Sequence, residues 1–345
     1  MALYLFATLI SALFHFVLIV PFINFLYKLK IQRSKQNTRD AFNKPTPIFD
    51  KFHQHKTGTP VGGGILIVLS TILLFGYFLF LFVVFNRPIL SNYPSIISEI
   101  KIILFTFISF AFLGIYDDLN KMFFWKTKQF FGIKLRHKLI LEIVLALIVS
   151  FWLFSELKIS FINIPFLKPY EIGYFYIFFA AFVIVAFANA VNITDGLDGL
   201  SSGILVFALT AFWVIAHAII DVPTSLFIAI WLGGLIAFLY FNIHPARIFL
   251  GDTGALSFGA TFAVIGLILG KSFALPIVGG VFFIEIVSSF GQLLSKRFLK
   301  RKLFPVAPLH LWLQLKGWPE TKIVMRLWII SILFAILGLM IAFMK

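Results

Sequence analysis

The feature that most constrains this chain is a series of apolar runs about 20 residues long, near 2–27, 60–86, 100–116, 138–157, 172–190, 200–220, 224–241, 254–271, 273–295 and 323–344. Runs of that length match the hydrocarbon thickness of a bilayer as α-helices and are too long for strands of a membrane barrel. Only 12% of residues are charged and the mean hydropathy is +1.01, far from a water-soluble domain. The fold class expected is therefore an all-α polytopic membrane protein of about ten transmembrane helices. No linker rich in Pro, Gly or Ser and no internal repeat divides it, so a single integral-membrane domain over 1–345 is expected. Met1-Ala2-Leu3-Tyr4 lacks a basic n-region and a cleavage site, which predicts a retained first helix.

The charge is distributed by side. The connections 28–59, 117–137, 191–199, 242–253 and 296–322, with the adjoining helix starts, hold 23 of the 29 Lys and Arg. By the positive-inside rule these five loops are cytoplasmic, both termini lie on the extracytoplasmic side, and the active site faces the cytoplasm. The same rule accounts for the formal +15 charge, and no nucleic-acid partner is expected. The absence of cysteine excludes disulfides, thiolate metal sites and a Cys nucleophile.

The polar clusters fall on or near these five loops. Asp117-Asp118-Leu119-Asn120-Lys121 closes the third segment; two adjacent carboxylates need a cation, a shared proton or a nearby lysine, unless they are simply a solvated helix end. Lys134-Leu135-Arg136-His137-Lys138 opens the fourth. Most of it reads as topology signal, with Lys138 at the apolar boundary placed to meet a phosphate. Between Asn189 and Leu200 lie Asn189, Asn192, Asp195 and Asp198, spaced by three along one helical face if the helix persists. A capped turn would explain one of these carboxylates but not the set.

Asp252, between Gly251 and Thr253, suits either an N-cap or a hard-cation ligand, and Mg²⁺ takes one or two carboxylates plus phosphate oxygens. Five carboxylates on one side are hard to accommodate without a divalent cation. Glu285, Ser288 and Gln292 share one helical face that would point into the bundle, and an intramembrane Glu is normally paired or functional. The apolar-aromatic stretch Ala307 to Glu320 suits a membrane interface.

Taken together, these pieces resemble the polyprenyl-phosphate N-acetylhexosamine-1-phosphate transferase superfamily, and within it the muramoyl-pentapeptide branch. The resemblance covers nearly the whole chain. Its marks are His55-Lys56-Thr57-Gly58-Thr59-Pro60 with Gly62-Gly63, Asp117-Asp118-x-x-Lys121, Asn189 through Gly199, Phe249-x-Gly251-Asp252-x-Gly254, the Glu285/Ser288/Gln292 face, and Leu315-Lys316-Gly317-Trp318-Pro319-Glu320.

The resemblance implies a Mg²⁺-dependent enzyme of the inner (cytoplasmic) membrane. It would move phospho-N-acetylmuramoyl-pentapeptide from UDP-N-acetylmuramoyl-pentapeptide to undecaprenyl phosphate, giving lipid I and UMP. Asp252 then corresponds to the metal ligand, and Asp117 and Asp118 to the pair assisting at the lipid phosphate or metal. Lys121 and Lys138 correspond to phosphate-holding groups. Lys56, Asn242, Phe249 and Asp198 would build the uridine pocket, with Asn192, Asp195 and Gln292 lining the rest and His310 among the catalytic groups. A homodimer stays open, since a helix at a dimer face reads like one facing lipid.

Two departures stand out. Where the family has three consecutive histidines the run is His310-Leu311-Trp312, and Val61 replaces a threonine. The altered histidine run is what favours the sister activity, transfer of N-acetylglucosamine 1-phosphate or another N-acetylhexosamine 1-phosphate. A non-catalytic lipid-carrier binding or transport protein is the reading from another class. Carriers, however, place their polar residues near the bilayer midplane.

Overall fold

The protein is described by a computed structural model, covering residues 1–33, 45–46, 48, 50, 52, 54–123, 135–165, 167 and 169–344. Lys35, Arg39, Lys44, Lys51, Lys126, Lys128, Lys134, Lys168 and Lys345, counted in the charge argument, lie outside the described residues.

The long helices are α1 (Ala2–Lys28), α2 (Gly63–Val84), α3 (Ile96–Phe123), α4 (Leu135–Ser155), α5 (Phe175–Thr194), α6 (Leu200–Ala218), α7 (Val222–Asn242), α8 (Gly251–Ile268) and α12 (Glu320–Phe343). Among the described residues these nine are long and apolar enough to cross a bilayer, where helices satisfy every backbone group internally. The protein is thus all-α and polytopic. The segment expected at 273–295 is not one straight span. It breaks at Gly279 into α9 (Leu275–Val278) and α10 (Gly280–Leu294), and a short α11 (Leu309–Leu315) precedes the last helix. Two-residue strands β1 (Phe161–Ile162) and β2 (Tyr170–Glu171) pair antiparallel, with Phe161 opposite Glu171.

Burial sorts the bundle into a centre and a rim. In α7 and α8, 89% of the spanning window is buried, against 22% in α1 and 33% in α12. α8 packs chiefly on α3 and α5, and α7 on α1 and α6. Phe107, Phe227, Trp231 and Phe258 fill the α3–α7–α8 junction, with ring centroids 5.1–5.9 Å apart. The outer helices show lipid-sized aliphatic and aromatic faces instead, as the large number of Phe leads one to expect.

The helices run beyond the apolar windows, and this positions the site. α3 continues to Phe123, so Asp117, Asp118 and Lys121 are helical rather than in a loop. α4 starts at Leu135 and carries Lys138, while α8 begins at Gly251 with Asp252 in its first turn. α3 can lie directly on that turn because of Gly114, where a Cβ would stand 2.4 Å from the Asp252 carbonyl oxygen. α5 ends at Thr194, leaving Asp195 as its C-cap and Asp198 in the following turn. The single helical face projected through 189–198 therefore stops after Asn192.

Candidate active site

The ends of α3, α4, α5 and α8 meet at one end of the bundle around two carboxylates and two lysines. Lys138 Nζ lies 3.0 Å from Asp117 Oδ2 and 2.5 Å from Asp252 Oδ2. Lys121 Nζ lies 3.2 Å from Asp117 Oδ2 and 2.6 Å from Asp252 Oδ1. Each ammonium thus bridges both carboxylates. Asn192 Nδ2 donates to Asp252 Oδ2 at 3.2 Å, adding α5 to the quartet. Asp117 is buried, whereas Asp252 and Lys121 keep 14% and 22% of their side chains exposed, so the cluster opens to solvent on one side.

Adjacent helical residues point about 100° apart, and the Asp-Asp pair divides accordingly. Asp118 turns away from the lysines. Its Oδ1 accepts from the Asp252 backbone N–H at 3.0 Å, and its Oδ2 from the Thr253 N–H and hydroxyl at 3.0 and 2.8 Å. These are free donors of the first turn of α8, so Asp118 caps that helix from α3. The two carboxylates of the pair thus face different partners. Asp117 faces the cluster, and Asp118 fixes the segment that carries Asp252. The cap alternative for Asp252 also resolves, since another residue holds that role. Val61 packs where a Cβ on Gly251 would meet its Cγ1 at 3.0 Å.

A second knot lies on the loop side. Lys56 Nζ sits 2.7 Å from Asp198 Oδ1, 2.6 Å from Glu320 Oε1 and 3.2 Å from the Gly196 carbonyl. Glu320 Oε1 also accepts from the Asp198 N–H at 2.5 Å. Asp198 Oδ2 takes the Ala246 N–H at 3.1 Å and faces His244 Nδ1 at 3.0 Å. Burial works against the Asp198 charge, but Lys56 and these donors outweigh it and hold its carboxyl below the usual range. Asp198, His244 and Glu320 come close enough to hold a metal ion among the described residues. Lys56 already supplies the positive charge there.

Asp195 stands between the knots. Burial, reinforced by the nearby Asp252 charge, pushes its carboxyl up to about 8, with Arg33 and Lys56 opposing. The Phe249 ring has the Arg33 guanidinium carbon 5.4 Å and Lys56 Nζ 5.9 Å from its centroid.

Three further residues of the expected site are held by neighbouring protein groups. Asn242 Nδ2 donates to the Ile248 carbonyl at 2.9 Å, and its Oδ1 accepts from Gly199 N–H and Ser202 Oγ at 3.2 and 2.7 Å. Gln292 Oε1 accepts from the Leu303 and Phe304 N–H groups, and its Nε2 donates to the Phe304 carbonyl. His310 is buried, with its N–H and Nδ1 both 3.2 Å from the Glu285 carboxylate. Its Nε2 edge abuts Gly196, where a Cβ would lie 2.6 Å away. Leu311 is buried and Trp312 stacks beneath Lys316 Nζ at 4.2 Å.

Sequence reasoning missed Arg33, Glu142, His244 and the individual importance of Glu320. Glu142 had a legible signal, being an intramembrane carboxylate four residues from Lys138. Nothing local marks Arg33 or His244, whose partners come from distant loops.

Spanning helices that deliver carboxylates and lysines to one end of the bundle define a polytopic membrane protein with a charged site at that end. The sequence profile of glycosyl transferase family 4 matches residues 100–270, the stretch bearing that quartet. Similar proteins include phospho-N-acetylmuramoyl-pentapeptide-transferases of Rickettsia felis (34% identical, covering 96% of this chain and 94% of the relative) and Rickettsia bellii OSU 85-389 (36%; 83% and 80%). Another is the enzyme of that name from Clostridium novyi (34%; 83% of each). The chain belongs to the phospho-N-acetylmuramoyl-pentapeptide-transferase family.

Proposed function

We propose that this protein transfers phospho-N-acetylmuramoyl-pentapeptide from its UDP carrier to undecaprenyl phosphate at the cytoplasmic face of the inner membrane, the first membrane step of peptidoglycan synthesis. The observation that carries this reading is the quartet. Two carboxylates and two ammonium groups, on three different helices, converge on one partly open point. Phosphoryl transfer asks above all for charge neutralisation and alignment, and this cluster supplies both.

The donor set suits Mg²⁺. The oxygens of Asp252 and Asp117 already share a position that attracts positive charge, and phosphate oxygens would complete the shell. Bound there, the ion would stabilise the negative charge of the diphosphate and of departing UMP. The chain's own groups do the rest. Lys121 and Lys138 are placed to hold phosphate oxygens. Asp118 keeps the first turn of α8, and with it Asp252, in register.

The lipid phosphate oxygen attacks the sugar-linked phosphorus as the bond to the UMP oxygen breaks. That nucleophile is already ionised at neutral pH, so no proton need be removed by Asp117. The Lys56–Asp198–Glu320 knot and Phe249 form the nucleotide end of the cleft, with Asn242 bracing its wall.

The charge distribution supports termini on the extracytoplasmic side. The ring of Tyr4 packs on His217, and Lys271 Nζ donates to the Ala342 carbonyl, both away from the quartet. The reading is tested by incubating purified protein with undecaprenyl phosphate, Mg²⁺ and either UDP-N-acetylmuramoyl-pentapeptide or UDP-N-acetylglucosamine, and counting radiolabelled lipid. Product from the muramoyl substrate is expected. Exclusive use of UDP-N-acetylglucosamine would assign the sister activity instead.

A further inference from the structure

One buried carboxylate beside the quartet has no part in the chemistry above. Glu142 lies fully buried in α4, four residues beyond Lys138. Its Oε2 accepts from Asn189 Nδ2 at 2.5 Å, while its Oε1 has no hydrogen-bond partner. Asn189 also donates to the Val185 carbonyl at 3.0 Å, which fixes the amide's orientation. On α5, Asn189 precedes Asn192 by one turn, and Asn192 donates to Asp252. Two rungs therefore join this corner of the bundle, Lys138–Asp252–Asn192 at the opening and Glu142–Asn189 one turn deeper.

A buried carboxylate oxygen without a donor is costly, and native structures leave few. Among the described residues, the Lys138 ammonium is a cation on the same helix, one turn away, that could turn to it. Residues four apart on a helix are neighbours, and the charges of Lys138 and Glu142 act on each other. In the structure that ammonium is drawn to Asp252 and Asp117 instead.

The quartet is neutral as it stands, with two negative and two positive groups. A divalent cation on Asp252 and Asp117 would confront both ammoniums with a like charge. Lys121, the more exposed, can turn to phosphate or solvent; Lys138, 12% exposed, has less room to do so. We propose that Glu142 is the second seat of Lys138: when Asp252 and Asp117 take a divalent cation, the displaced ammonium moves one turn along α4 to the open Glu142 oxygen. This rests on the metal–diphosphate reading above. It makes Glu142 a positioning residue that sets how readily the carboxylates are freed, without touching substrate.

The test is a titration of the purified full-length protein with Mn²⁺ alone, followed by electron paramagnetic resonance, with no nucleotide present. Glu142→Gln should weaken Mn²⁺ binding about tenfold, the scale of coupling between groups in contact. In a Lys138→Met background, which removes the ammonium, adding Glu142→Gln should change the affinity by less than about twofold. Unchanged affinity in the single variant overturns the proposal. So does the same tenfold loss in the Lys138→Met background, which would mean that Glu142 acts by its field alone. Should Glu142→Gln not fold, Glu142→Asp keeps the charge but withdraws the oxygen; an intermediate loss is expected, and wild-type affinity overturns the proposal. If the unmutated protein binds no Mn²⁺, the metal reading itself falls, a result distinct from the others.

Discussion

The two charged knots of the cleft are built from similar groups and differ in how those groups are committed. In the quartet, two ammoniums are shared by two carboxylates, and these four ion-pair contacts join side chains at helix ends. In the Lys56 knot one ammonium serves two carboxylates, and backbone N–H and carbonyl groups of two loops complete the shell. Side chain to side chain contacts can be exchanged for a cation or a phosphate without moving the chain. Contacts anchored on backbone cannot, so the second knot holds loops in place and shapes a pocket. A reactive centre and a rigid recognition frame thus emerge from one composition.

That contrast can be broken by substitution. The largest effect is expected at Lys138→Met, which removes the ammonium shared by Asp117 and Asp252. The turnover number should fall about 10²-fold or more, as for loss of one charge-stabilising donor, while thermal unfolding stays near the wild-type midpoint. Normal turnover would make the quartet a structural ion cluster like its neighbour.

Asp118→Ala comes next, and it should behave differently from any quartet variant. It strips three hydrogen bonds from the start of α8, at about 1–3 kcal/mol of stability for the buried donors left bare. A lowered unfolding midpoint together with lost activity is expected. Lost activity at unchanged stability would return Asp118 to the reactive group.

At the second knot, Glu320→Gln should raise KM for the UDP-sugar about tenfold, the equivalent of one charged hydrogen bond, and leave the turnover number within about threefold. A fall in turnover at constant KM would erase the distinction between the knots.

A last prediction concerns Asp195, between them, and is read in stability rather than in turnover. Its carboxyl is raised to about 8 from an ordinary 3.8, so the folded protein retains a proton that the unfolded chain has lost. Stability should therefore decline as pH rises from about 4 to about 8, which follows from the greater proton binding of the folded state. Asp195→Asn should match the wild type near pH 4 and melt higher than it at pH 9. Parallel melting curves across that range would contradict the assignment.

Much of this was readable from residues in order. Hydropathy and charge asymmetry gave the spanning helices, because a bilayer permits few other solutions. The carboxylates and lysines of the quartet were legible because each is a polar residue that an apolar run does not need. The division of labour was not. Whether Asp117 or Asp118 faces the lysines depends on the rotation of α3 against α8, set by the close approach at Gly114. The partners of Asn242 and Gln292 within the chain were not legible, because sequence does not show which backbone groups a loop leaves unpaired. The broken span at Gly279 was hidden for a similar reason. α9 and α10 are both apolar, and hydropathy does not register a one-residue interruption.

If the quartet's carboxylates are released from their lysines for cation-assisted phosphoryl transfer, product formation depends on both the cation and Asp252. UMP release from UDP-N-acetylmuramoyl-pentapeptide and undecaprenyl phosphate, measured against Mg²⁺ concentration for the wild type and Asp252→Asn, reads both at once. Mg²⁺-dependent release is expected from the wild type, and at least about 10²-fold less from a variant that still folds. Equal release by the two proteins, or release indifferent to Mg²⁺, would contradict it.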